Sequence, residues 1–66
     1  MEIVRTVGDF ELIFEPLMSM FRIVEKESSL LSLWFNAITA EELLAMGDDE
    51  FIITAEDYLD QAQYSE

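Results

Sequence analysis

Sixty-six residues, fifteen of them acidic and only three basic, give this chain a net charge of −12 and the length of one domain, residues 1–66. The chain has no cysteine and no histidine, which excludes disulfides, thiolate nucleophiles, zinc sites of the usual ligand types and histidine acid–base chemistry. Charge of this size opposes contact with nucleic acid or anionic lipid and selects for a positively charged partner.

The imbalance is lopsided. Residues 1–26 hold five acids and all three bases (Arg5, Arg22, Lys26), whereas residues 27–66 hold ten acids and no base. Strong acidity often accompanies disorder, but disordered chains are poor in aromatic and branched aliphatic residues. Here 52% of residues are apolar, with five Phe, two Tyr, one Trp and four Met, so the chain is expected to fold. A domain this short buries only about 60% of its unfolded surface, which leaves apolar material for a sticky patch or a self-association face. The opening Met1-Glu2 lacks the basic and apolar regions of a signal peptide. No apolar stretch approaches the about 20 residues of a membrane span. A soluble, cytoplasmic protein with no membrane partner is expected.

In chain order, Ile3-Val4-Arg5-Thr6-Val7 is rich in β-branched residues and stops at Gly8-Asp9, a strand and a turn. Over residues 10–15, period-two alternation puts Phe10, Leu12 and Phe14 on one face and Glu11 and Glu15 on the other, a half-buried strand that Pro16 ends. Met20-Phe21-Arg22-Ile23-Val24-Glu25 reads as a third strand paired antiparallel to the second, completing a meander. Residues 30–38 fit a helical stripe (Leu30, Leu31, Trp34, Phe35, Ile38) and a strand face (Leu31, Leu33, Phe35, Ala37) about equally. Extended geometry is favoured, because a helix with its own cap follows.

That helix is announced by Ile38-Thr39-Ala40-Glu41-Glu42-Leu43-Leu44, and the pattern recurs fifteen residues later as Ile53-Thr54-Ala55-Glu56-Asp57-Tyr58-Leu59. Thr39 with Glu42 fits a capping box and Thr54 with Asp57 a shorter variant, while Ile38 with Leu43 and Ile53 with Tyr58 fit hydrophobic staples. Gly47 sits where the first helix would stop. The expected fold is α+β: a small single domain with an N-terminal antiparallel β-meander of three to four strands, packed with two short, capped C-terminal helices.

Three kinds of site are conceivable. Asp48-Asp49-Glu50 offers carboxylates to Mg²⁺ or Ca²⁺, but it lacks the alternation and the glycine of a calcium loop and reads better as a solvated turn. Paired carboxylates for glycosidase-like catalysis need an apolar pocket and a cleft, for which a thin core has little room. No catalytic residue, metal site or cofactor is therefore expected. The remaining candidate is the array Glu41, Glu42, Asp48, Asp49, Glu50, Glu56, Asp57 and Asp60. Glu56 and Asp60 stand one helical turn apart with Asp57 beside them, and neighbouring like charges there weaken a helix by a few tenths of a kcal/mol per pair. No base lies near them in the sequence, although a face kept only for solubility usually mixes signs. Carboxylates about 5–6 Å apart on successive turns approach the spacing of backbone phosphates, about 6–7 Å. Trp34, Phe35, Phe51, Met18, Met20 and Met46 are potential partner anchors, though core positions are the expectation for most of them.

In size, charge and lack of catalytic residue types, the whole chain resembles the small acidic anti-CRISPR and anti-restriction proteins that phages and mobile elements direct against host defence. The resemblance implies a DNA mimic acting as a stoichiometric inhibitor. Such a protein docks on the basic nucleic-acid channel of a CRISPR effector or other defence nuclease in the host cytoplasm, binds no nucleic acid itself, and is a monomer or homodimer. The alternative reading is an obligate subunit, adaptor or homodimer whose acids only keep it soluble.

Overall fold

The computed structural model describes residues 1–64. Three strands precede two helices: β1 Glu2–Val7, β2 Phe10–Glu15, β3 Met20–Glu25, α1 Ala37–Ala45 and α2 Asp48–Tyr64. The strands form one antiparallel sheet in the order β1-β2-β3, the expected meander. Val7 pairs with Phe10 across a two-residue loop, and Gly8 at its first central position takes φ +57, which a side chain would resist. After Glu15, Pro16 interrupts the ladder and the chain returns at Met20.

β1 contains one extra residue. Ile3 pairs with Ile13, but Arg5 pairs with Leu12, so Val4 is a bulge. Without it, alternation would send Arg5 to the open side of the sheet opposite Glu11. With it, Arg5 shares a face with Leu12 and Ile23, and both helices pack on that face. The core there is Phe10, Leu12, Ile23, Leu43, Phe51, Ala55 and Leu59, with Val7, Phe21, Phe35, Met46, Ile52 and Tyr58 packed around it. Phe14 lies against Phe21 at 4.8 Å between ring centroids, and Phe35 meets Tyr58 edge-on at 5.3 Å.

Of the 30–38 stretch, residues 30–35 match the extended reading and run antiparallel along the outer edge of β3 through bridges Phe21–Phe35 and Val24–Leu31, whereas Ala37 and Ile38 already belong to α1. The register slips by one residue between the two bridges, so the stretch is not a regular fourth strand. Ser32 repairs the slip. Its amide donates to the Ile23 carbonyl at 2.9 Å, and its buried hydroxyl accepts from the Ile23 amide at 2.8 Å, standing in for a backbone carbonyl.

The helix boundaries depart from the sequence expectation. The α1 N-cap is Asn36, whose Oδ1 accepts from the Thr39 amide at 3.1 Å, so Thr39 is the third helical residue and not the cap. The contest went to Asn36 because its backbone is already extended (φ −89, ψ 178), held by the Phe35 amide donating to the Phe21 carbonyl at 2.8 Å. Gly47 does follow the C-cap Met46, but with none of the left-handed φ that a glycine stop usually supplies; Gly8 is the one positive-φ glycine. The Gly47 carbonyl instead accepts from the Phe51 amide at 2.9 Å and opens the next helix. Asp48-Asp49-Glu50 is thus the first turn of α2 and not a solvated loop, where three acids favour the helix dipole. Thr54 is consequently interior, and α2 runs 17 residues where a short helix was expected.

Candidate functional site

All eight acids of the candidate array, Glu41, Glu42, Asp48, Asp49, Glu50, Glu56, Asp57 and Asp60, are exposed. On α2, Phe51, Ala55 and Leu59 fix the inward direction. At about 100° per residue, Asp49, Glu50, Glu56, Asp57 and Asp60 fall within an outward arc of about 120° centred on Ile53. Ile53 itself is 62% exposed, an apolar point within the acid face. Glu56, Asp57 and Asp60 share a shallow groove with Glu25 of β3 and with Leu30, so the sheet adds a fourth carboxylate that the sequence array omitted. On α1, Glu41 and Glu42 project to either side of Ile38, away from buried Ala40 and Leu43.

Asp48 stands apart from the others. It projects toward the core side of α2 and meets Arg5, Nη2 to Oδ1 at 3.1 Å. The same guanidinium donates through Nη1 to the carbonyls of Leu43 at 2.8 Å and Leu44 at 3.4 Å, and lies 4.6 Å above the Phe51 ring. Those carbonyls belong to the last turn of α1 and have no partner within the helix. One arginine therefore closes the end of α1, neutralises part of the start of α2 and ties both to β1. The sequence reading placed Asp48 in an unrelieved array, and the bulge that turns Arg5 inward is what it lacked.

Among the described residues the ion pair is Arg5–Asp48, and neither of the other two bases pairs with a helical acid. Arg22 lies with its guanidinium 4.0 Å over the Trp34 ring and donates to the Ser32 carbonyl from Nε at 3.2 Å and Nη2 at 3.0 Å. Desolvation there lowers its pKa from the ordinary arginine value. Lys26 sits in the loop after β3, where its amide donates to the Asp9 carbonyl. Neither helix contains a base, so the outward arc of α2 is of one sign.

Of the possible anchors, Phe51 is fully buried, Phe35 and Met46 pack on the core, and Trp34 and Met20 are half-buried. Met18 is a correction to the core expectation: it is 49% exposed in the β2–β3 turn beside Leu17, 94% exposed. Among the described residues, no group of three or more acids is arranged to hold a metal ion, and no helix is long and apolar enough to cross a membrane.

Compared with protein-family models, with curated proteins and with solved structures, the chain finds no match in any of the three.

Proposed function

We propose that this chain is a stoichiometric protein inhibitor that imitates nucleic acid, docking its helical acids on the basic channel of a nuclease or CRISPR effector and excluding the target strand. The observation that carries the reading is the single-signed outer face of α2. Five carboxylates share that arc, Glu25 adds to them across a groove, neither helix contains a base, and Arg5 and Arg22 are engaged at Asp48 and Trp34. Repulsion along that face weakens the helix; the helix dipole offsets it for Asp49 and Glu50 in the first turn, but among the described residues no base relieves Glu56, Asp57 and Asp60. A face kept at that cost is suited to a cationic surface, where the carboxylates take the places of phosphates. Charge steering speeds such encounters and makes them sensitive to salt.

The test is a cleavage assay across a panel of CRISPR effectors and restriction nucleases with the chain in slight excess. Near-stoichiometric inhibition of at least one enzyme is expected at low salt, with recovery of cleavage when Glu56→Gln, Asp57→Asn and Asp60→Asn are combined. Inhibition that survives the triple replacement would remove the acid face from the mechanism.

A further inference from the structure

Both helices cover the same side of the sheet, and the other side carries neither. By strand alternation and register, that open side carries Ile3, Met20 and Val24 around a buried Ile13, extended by Leu31 beside Val24 and by Trp34 beneath Arg22. Ile3 is 59% and Leu31 43% exposed, and Met20, Val24 and Trp34 are half-buried, so the open side keeps a partly exposed apolar surface on a small domain.

Its charges differ in kind from those of the helices. Glu11, Glu15 and Arg22 stand among the apolar side chains, so the open side bears both signs. A two-fold interface brings a patch against its own copy. A surface of one sign cannot meet itself without repulsion; one of mixed sign and apolar body can. The charge layout therefore sends a cationic partner to α2 and reserves the open sheet for a second copy.

We propose that the open sheet face is a homodimer interface on which two copies pack face to face. Sheets stacked at about 10 Å would leave the two acid faces on the outer surfaces of the pair. They would be separated by more than the shortest extent of one copy, 20 Å. That exceeds the screening length of about 8 Å at physiological salt. Three strands and the edge stretch 30–35 span a footprint of about 400 Å². This is below the about 800 Å² per partner of a standard stable interface, so the dimer is reversible and depends on concentration.

Sedimentation equilibrium of the full chain over a concentration series, at low and high salt, tests this. The mass should climb from 7.7 kDa toward twice that value, and the association should tighten as salt screens repulsion between copies. Combining Ile3→Glu with Leu31→Glu should hold the chain at the single-copy mass throughout, whereas Leu44→Glu on α1 should leave the dimer unchanged. Emission from Trp34 moving to shorter wavelength as concentration rises would report the same burial without any substitution. A single-copy mass at every concentration up to about millimolar, together with a fixed Trp34 emission, would overturn the proposal. So would a dimer indifferent to the paired substitutions, which would put the contact away from the open face. Because docking on a cationic partner weakens with salt and self-association strengthens, the two readings fail separately. A monomer that inhibits refutes only the dimer, and a dimer that inhibits nothing refutes only the mimic.

Discussion

Arg5 is where the three-part architecture is joined. Its side chain is only 17% exposed, and the guanidinium serves two orphan carbonyls of α1, the Asp48 carboxylate and the face of Phe51. Charged hydrogen bonds of this kind contribute about 1.5–3 kcal/mol each, and leaving a partner unsatisfied adds to the loss. Arg5→Ala should therefore destabilise by about 2–3 kcal/mol, a Tm drop of roughly 10–20 °C for a domain of this size. Asp48→Asn should cost only a few tenths of a kcal/mol, because the carboxylate is 78% exposed and its ion pair is screened. Thermal melts of the two variants would separate a junction from a surface salt bridge; equal losses would show that the ion pair, not the carbonyl contacts, holds the junction. Ser32 has a comparable role at the sheet edge. Ser32→Ala would strand the buried Ile23 amide and should cost about 1–3 kcal/mol by denaturant titration. A neutral result would mean the edge stretch re-registers to satisfy that amide itself.

Among the elements, the strands were legible because their signals are local and mutually consistent. Glu15-Pro16 ends one strand, Gly8 turns another, and Phe10, Leu12 and Ile23 alternate into one core. The alternation was nevertheless incomplete: Ile13, on the face assigned to Glu11 and Glu15, is 5% exposed between its partners Ile3 and Arg22. The helix starts were misread for a different reason. Thr39 and Thr54 each have an acid three residues on, as a cap would, but only the surrounding fold decides where the backbone ahead of each helix is extended. Asn36 wins because residues 31–35 are tied to β3, and Thr54 loses because the helix is already under way at Asp48. Accordingly, Asn36→Ala should destabilise by about 1 kcal/mol, while Thr54→Ala should change stability little or raise it, alanine being the better interior residue. A loss of about 1 kcal/mol or more at Thr54 would instead make it the cap of the last helix. The bulge at Val4 and the hydroxyl of Ser32 had no sequence signal, since both answer to register, which a single strand does not encode.

At the scale of the whole molecule, charge is sorted by side. Apart from Asp48, the acids of α1 and α2 face outward from the core, Arg5 is turned inward, and Arg22 stacks on Trp34 on the opposite side of the sheet. The acid array was visible in the sequence as a count and a helical spacing; its one-sidedness was not, because the inward direction of α2 is set by Phe51, Ala55 and Leu59 meeting a sheet assembled from distant residues. That segregation gives one small chain a row of helical carboxylates on one side and a mixed side on the other, where Glu11 and Glu15 stand with Arg22. Like charges removed from the row should relieve repulsion, so the triple Glu56→Gln, Asp57→Asn, Asp60→Asn should melt no lower than the parent chain. The most direct test of the account is the affinity of the parent chain and of that triple variant for an inhibited effector, measured by titration from about 50 mM to about 500 mM salt. The account predicts a dissociation constant that rises steeply with salt for the parent, and a weaker, flatter dependence for the variant. Equal affinity for both chains, unmoved by salt, would contradict it.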